Sequence, residues 1–185
     1  MTMTGGGKER VEGAGAVATD DASLRQCFRD ALASFPSGVT VVTTMSGDGE
    51  AKGFTATAFA SVSAEPPKVL VCLDRSAECF PAFDASDGFC VNILADHHYG
   101  VARTFASRGV DKFAAGSFGR SKRGMPVLEE AVAFLDCSVD QKVRSGDHVV
   151  IFGDVVDCAV RERHRPLVYF RRAFHNLTEL EADHA

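Results

Sequence analysis

Hydrophobic positions change their spacing several times along the chain, and each change marks an element. From Ser23 onward Leu24, Cys27, Phe28, Ala31, Leu32 and Phe35 recur at helical spacing, and Pro36, Ser37 and Gly38 end the run. This predicts an amphipathic helix. The stretch Val39-Thr40-Val41-Val42-Thr43-Thr44 is β-branched throughout and stops at Gly47-Asp48-Gly49, which predicts a strand and a hairpin turn. Gly53 to Ser63 reads as a second strand of small and hydroxyl residues. Pro66 and Pro67 separate it from Val69-Leu70-Val71-Cys72-Leu73, an apolar run that predicts a strand buried on both faces.

Ser76 stands where it could cap a short helix over Ala77 to Ala85, although Pro81 inside that helix costs about 3 kcal/mol unless it falls in the first turn. Phe89 to Leu94 is a further strand, and a helix from about His98 to Ser107 carries Val101 and Phe105 on one face before Gly109 closes it. Ala114 to Pro126 reads as loop. Leu135, Cys137, Val139 and Val143 alternate with Asp136, Ser138, Asp140 and Lys142, the pattern of a strand with one wet face. After the turn Ser145-Gly146-Asp147, His148 to Val160 is one long strand bent at Gly153, and Pro166-Leu167-Val168-Tyr169-Phe170 begins a final one. The predicted class is mainly β with flanking helices, a closed or half-open antiparallel barrel rather than a βαβ sheet.

The chain has 185 residues, 45% of them hydrophobic, enough for one buried core and therefore one domain. We place that domain at residues 20–178, between a disordered Gly/Ala/Thr-rich tail at 1–19 and a short tail at 179–185. A net charge of -5 leaves no sustained basic face. Nucleic acid and anionic membrane are then poor partners, and a small molecule or another protein is the better expectation. Six cysteines lack C-x-x-C spacing and read as buried thiols. With no basic-plus-apolar leader and no apolar run near the roughly 20 residues that span a bilayer, the expected location is the cytoplasm.

Several chemistries are excluded next. Gly47-x-Gly49 joins two strands instead of opening a helix, so it is no dinucleotide fingerprint. P-loop, G-x-S-x-G and H-E-x-x-H motifs are absent, and scattered histidines give no metal site. Redox chemistry would need a borrowed cofactor. In Gly53-Phe54-Thr55-Ala56-Thr57-Ala58-Phe59 the small side chains leave room for a flat ligand, although on composition alone a tightly packed barrel strand is the commoner reason for them. Ser76 could meet a phosphate or simply cap its helix, and His148 could bind a nucleotide or merely end a strand. Tyr169 and Phe170 could stack on a ring or pack in the core.

Taken in order, five segments resemble the flavin reductase family that serves two-component flavin-dependent monooxygenases. They are Phe35 to Thr43, Gly53 to Ser63 with Pro66-Pro67, Phe89 to Leu94, Gly146-Asp147-His148 with Gly153-Asp154-Val155, and Pro166 to Phe170. The resemblance implies a split β-barrel of Greek-key type, homodimeric, binding FMN or FAD without covalent attachment, with NADH or NADPH as co-substrate. It implies an NAD(P)H:flavin oxidoreductase whose reduced flavin diffuses to a partner monooxygenase. Carried over, Thr55, Ala56, Thr57 and Ala58 would line the flavin ring. Asp74, Arg75 and Ser76 would meet the ribityl and phosphate end, Asn92 would face the flavin from a neighbouring strand, and Lys112 would be a phosphate counter-charge. His148 and Tyr169 would belong to the nicotinamide side, with no acid or base required beyond a role for His148. Alanine stands at Ala58 and Ala77, where family members often carry hydroxyl residues. Rival readings are a flavin-retaining oxidase of the pyridoxamine-phosphate type and a non-enzymatic flavin-binding protein.

Overall fold

A computed structural model describes residues 20–161 and 164–178, so the expected tails at 1–19 and 179–185 lie outside the described residues. The chain divides into two compact units at Phe35 and Pro36. In the first, α1 spans Asp21–Ala33. The Asp20 carboxylate accepts from the Ser23 backbone N–H at 2.8 Å while Ser23 Oγ accepts from the Asp20 N–H, a reciprocal cap that satisfies two otherwise orphaned donors. Leu24, Phe28 and Leu32, spaced four apart, form an apolar stripe that is more than half exposed.

The second unit holds β1 (Ser37–Gly38), β2 (Thr40–Met45), β3 (Ala51–Ala56), β4 (Phe59–Ala64), β5 (Pro67–Asp74), α2 (Phe80–Ala85) and β6 (Gly88–Ile93). After these come α3 (Tyr99–Ala106), β7 (Phe118–Arg120), β8 (Pro126–Leu128), β9 (Ala133–Ser145), β10 (His148–Val160), β11 (Leu167–Phe170) and β12 (Ala173–Asn176). Seven strands form one antiparallel sheet in the order β3-β2-β6-β9-β10-β5-β4.

That order dictates a barrel. The edge strands β3 and β4 are consecutive, joined only by Thr57 and Ala58. A flat seven-stranded sheet would hold its edges roughly 29 Å apart at about 4.8 Å per strand, whereas so short a link reaches only about 11 Å. The sheet therefore curls until its edges meet at this corner without pairing, which is a split barrel. Inside it pack Val42, Phe54, Val71, Leu73, Phe83, Phe89, Val91 and Ile151. A second cluster of Val39, Val41, Leu94, Val101, Phe105, Leu128 and Leu167 lies between the sheet and α3. Each such side chain contributes about 1.5–3 kcal/mol by leaving water.

The bend expected at Gly153 is present as a register shift between Phe152 and Gly153. A Cβ at Gly153 would lie 2.6 Å from a Phe89 ring carbon, so only glycine lets the strands approach here. Other expectations need correction. The single strand from Gly53 to Ser63 is two strands, because the barrel corner breaks it at Thr57. The Val69–Leu73 run alternates instead of burying both faces, with Leu70 and Cys72 half-buried. Ser76 caps no helix: α2 begins only at Phe80, which puts Pro81 in the first turn and removes its penalty. The stretch read as loop contains the β7–β8 hairpin. All six cysteines are free, but Cys27 and Cys158 are exposed and only Cys79, Cys90 and Cys137 are buried. No described helix is long and apolar enough to cross a membrane.

Candidate functional site

The barrel corner leaves a gap that its own side chains do not fill. Thr55 Oγ1 donates to the Ala102 carbonyl at 2.6 Å and fastens β3 to α3. The next residue, Ala56, points into the core, and its carbonyl accepts from Thr40 Oγ1 at 2.9 Å. Thr57 and Ala58 then turn outward and are exposed, with the Ala58 carbonyl held by the Cys72 N–H at 3.1 Å. Two concavities meet on this segment. One, of about 330 Å³, is walled by residues 54–58, Asp74, Arg108, Lys112 and His148. The other, of about 680 Å³, is walled by Thr55, Thr57, Tyr99, Arg103, Tyr169, Arg172 and Phe174. Both fall within the roughly 300–1,000 Å³ of small-molecule sites.

Hydrogen bonds fix the charged wall of the smaller concavity. The Asp74 carboxylate accepts from the Ser76 N–H at 2.7 Å, which holds that carboxyl below its ordinary range. Arg108 donates to the Ser76 carbonyl at 3.2 Å and to Ser76 Oγ at 3.1 Å, and Glu78 accepts from the Gly109 N–H at 3.1 Å. The turn after β5 and the loop after α3 are thereby laced together. Lys112, half-buried, donates to the Gly53 carbonyl at 3.1 Å. His148 sits opposite Asp74 across the β10–β5 ladder, and its Nδ1 lies 2.7 Å from an Asp147 carboxylate oxygen, a contact that lowers the Asp147 carboxyl. Two cations, Arg108 and Lys112, in one wall suit a phosphate, since charge-assisted bonds are about twice as strong as neutral ones.

The structure brings Thr55, Ala56, Thr57, Ala58, Asp74, Lys112 and His148 to one concavity. Tyr169 lines the other, so His148 and Tyr169 wall different concavities that share Thr55 and Thr57. Three assignments need correction. Asn92 does not face a ligand: it is fully buried, its Nδ2 donates to the Val41 carbonyl at 3.1 Å, and its Oδ1 accepts from the Leu128 N–H at 2.8 Å. Arg75 is exposed and reaches the Gly146 carbonyl at 3.4 Å, outside the cavity wall. Ser76 holds Arg108 instead of lining the cavity itself. Arg108, Arg103, Tyr99, Arg172 and Phe174 were missed. The helical spacing of α3 could have found Tyr99 and Arg103, which lie four apart on one flank of the helix.

A split antiparallel barrel with small residues at its corner, aromatic walls on one side and a cationic wall on the other defines a class of protein that binds a flat, phosphate-bearing ligand. Residues 32–178 match the flavin reductase like domain, and the chain belongs to that family. It is 45% identical over 147 residues to the actinorhodin polyketide dimerase of Streptomyces coelicolor, a match covering 80% of this chain and 83% of the relative. It is 38% identical over 173 residues to HsaB of Rhodococcus jostii, the reductase subunit of a flavin-dependent monooxygenase, covering 94% and 86%. Among solved structures it is similar to the NADH:FAD oxidoreductase SgcE6 of Streptomyces globisporus in complex with NAD and FAD fragments. That match has a TM-score of 0.81 at 30% identity and covers 90% of this chain and 100% of the other.

Proposed function

We propose that this chain takes FMN or FAD from solution, reduces it with NADH, and releases the reduced flavin to a separate flavin-dependent monooxygenase. One observation carries the reading: the two concavities adjoin at Thr55, Thr57 and Ala106, so a ring bound in each can meet the other over the edge of these small residues. Bound flavin supplies the hydride-accepting chemistry. The protein supplies placement. Thr57 and the backbone of residues 56–58 address the polar edge of the flavin ring, Arg108 and Lys112 take its phosphate, and Tyr99, Tyr169 and Phe174 wall the nicotinamide. Near-attack separation is about 3–3.5 Å, direct contact of the two rings, so no side chain can lie between them and the small residues must border the stack. No acid or base is needed in the transfer, so His148 acts as a wall residue opposite Asp74.

The reductase relatives favour this reading over an oxidase of the pyridoxamine-phosphate type or a non-enzymatic binder. We place the protein in the cytoplasm, where free thiols stay reduced. We also read it as a homodimer: the α1 stripe and, on one face of β10, Val156 and Val160 at 52% and 70% exposure are apolar surface that a second copy would cover. NADH is the expected nucleotide. A 2′-phosphate would need a free cation, and Arg161 in the charged turn after β10 already donates to the Ala131 carbonyl at 3.0 Å.

Anaerobic mixing with NADH and excess FMN or FAD tests the proposal through flavin absorbance near about 450 nm, a property of the free flavin. Multiple-turnover bleaching is expected. Tight flavin binding without bleaching would move the assignment to a binding protein.

A further inference from the structure

The hairpin beside the larger concavity is built on an unfavourable turn. Phe170 pairs with Ala173, so β11 and β12 are joined by Arg171 and Arg172 alone, with φ of 48° and 63°. Left-handed backbone at both central positions is the type I′ geometry that suits the twist of the strands, and Gly and Asn adopt it at least cost. Neither stands here. Strain of this kind persists where the surrounding structure fixes it, and it points to a role for the side chains that bring it.

The two arginines go to different places. The Arg171 guanidinium lies 5.2 Å from the centre of the Phe170 ring, a cation–π contact with its own strand. Arg172 instead walls the 680 Å³ concavity, together with Arg103 from α3. Its hairpin is braced against that helix: the cross-strand partners Tyr169 and Phe174 hold their rings 5.3 Å apart, and Phe174 meets Tyr99 edge-on at 6.5 Å. Among the described residues no carboxylate lines this concavity, so its walls are positive in a chain whose net charge is -5.

We infer that Arg172 holds the ionised phosphate linkage of the reduced nicotinamide dinucleotide and so sets the affinity for the hydride donor. The inference rests on the reductase reading above and adds to it a residue that selects the donor. A reduced nicotinamide ring is neutral, and Tyr99, Tyr169 and Phe174 suffice to wall it. The cations answer the charged part of the nucleotide, since a guanidinium binds phosphate through paired charge-assisted bonds. Glycine or asparagine would relax the turn and forfeit that contact. The strain at Arg172 is then a stability cost tied to function.

A matched pair of variants tests this, because Arg171→Gly and Arg172→Gly remove the same charge and relax the same turn, but only the second alters the concavity wall. Both should leave Tm unchanged or raise it by up to about 4 °C. Arg172→Gly should raise KM for NADH about five- to tenfold with kcat and flavin KM unchanged, whereas Arg171→Gly should keep all three within about twofold. Dihydronicotinamide riboside, which carries the reacting ring and no phosphate, should serve wild type and Arg172→Gly equally. NADPH shares the linkage and should lose as much as NADH. An unchanged NADH KM in Arg172→Gly, an equal rise in Arg171→Gly, or a loss that extends to the riboside would overturn the assignment. A loss confined to NADPH would overturn it too, by moving the contact to the 2′-phosphate. A clear fall in Tm for both variants would remove the strain on which the inference stands. Wild-type turnover tells these failures from a failure of the reductase reading: if NADH reduces no flavin, both fall, and if it does, only the role of Arg172 is decided.

Discussion

Asn92→Ala separates a structural from a ligand-binding role for the residue the sequence nominated. In the structure Asn92 lies in β6 with no exposure, bridging the β2 carbonyl of Val41 at 3.1 Å and the Leu128 N–H at 2.8 Å, with Thr43 Oγ1 at 3.4 Å. It pins the end of the β7–β8 hairpin to the main sheet. Alanine leaves the Leu128 donor and an acceptor site on Val41 in a dry interior. Each orphaned group costs about 1–3 kcal/mol, and with the small void the loss should total about 3–5 kcal/mol. In a chain of this size each kcal/mol lowers Tm by about 2–4 °C, so a drop of roughly 6–20 °C is expected. The assay is thermal unfolding alongside KM for FMN and FAD on the fraction that remains folded, where KM should stay within about twofold. A Tm within about 2 °C of wild type together with a several-fold rise in flavin KM would refute the reasoning and return Asn92 to the ligand.

Three further outcomes follow from other groups. Arg108→Ala should raise KM for FMN about tenfold or more with little change in kcat, since a charge-assisted bond contributes about 1.5–3 kcal/mol; riboflavin, which has no phosphate, should be unaffected, and an equal loss for riboflavin would count against the phosphate assignment. Arg123→Ala should destabilise by about 3–5 kcal/mol in urea unfolding, because both carboxylate oxygens of fully buried Asp136 lack a hydrogen-bond partner and the Arg123 guanidinium, 4.0 Å away, supplies their charge compensation. Adding Asp136→Asn to Arg123→Ala should recover most of that loss, and a neutral single variant would contradict the account. His98 is held down to about 4, first by burial and then by His97, and its Nδ1 accepts from the Ala95 N–H at 3.2 Å. Its folded value lies below the unfolded 6.5, so the stability tied to the neutral ring is complete above about pH 6.5 and is lost as pH falls toward 4. His98→Gln should flatten the stability profile in that window, and an unchanged slope would exclude His98 as its source.

Period and turn chemistry made the long elements legible. The run from Leu135 to Val143 is β9, although its faces were misread, since Asp136, expected on the wet side, is fully buried and Val143 is exposed; Gly153 marks the bulge of β10 because a Cβ there would meet Phe89. The break between β3 and β4 was not legible. Thr57 and Ala58 carry no turn signal, since tertiary curling of the sheet and not local preference sets that corner. The β11–β12 hairpin was likewise hidden. Its two central residues, Arg171 and Arg172, adopt φ of 48° and 63°, a left-handed geometry usually announced by Asn or Gly. Asn92 was carried over from the family resemblance as a flavin contact, and here it is an internal cross-link between Val41 and Leu128. Arg108 escaped notice because its place depends on Ser76, a residue thirty-two positions away.

These failures share a physical origin, which also explains how the site can work on a substrate that must leave. The residues that periodicity reveals are those whose burial stabilises the barrel, and few of them touch the groove. The groove is instead assembled from a sheet corner, a turn and a loop, joined by polar contacts such as Arg108 to Ser76 and Lys112 to Gly53. Small residues at the corner offer a flat ring little apolar area to bury, so binding leans on the phosphate wall, where exposed charges are screened by water and salt. Affinity built that way is modest and dissociation fast, since differences among related sites appear mainly in the off-rate. Raising salt should therefore weaken flavin binding while leaving Tm nearly unchanged, whereas Asn92→Ala does the reverse. A salt-insensitive flavin affinity would mean that the ring, and not the phosphate, anchors the substrate.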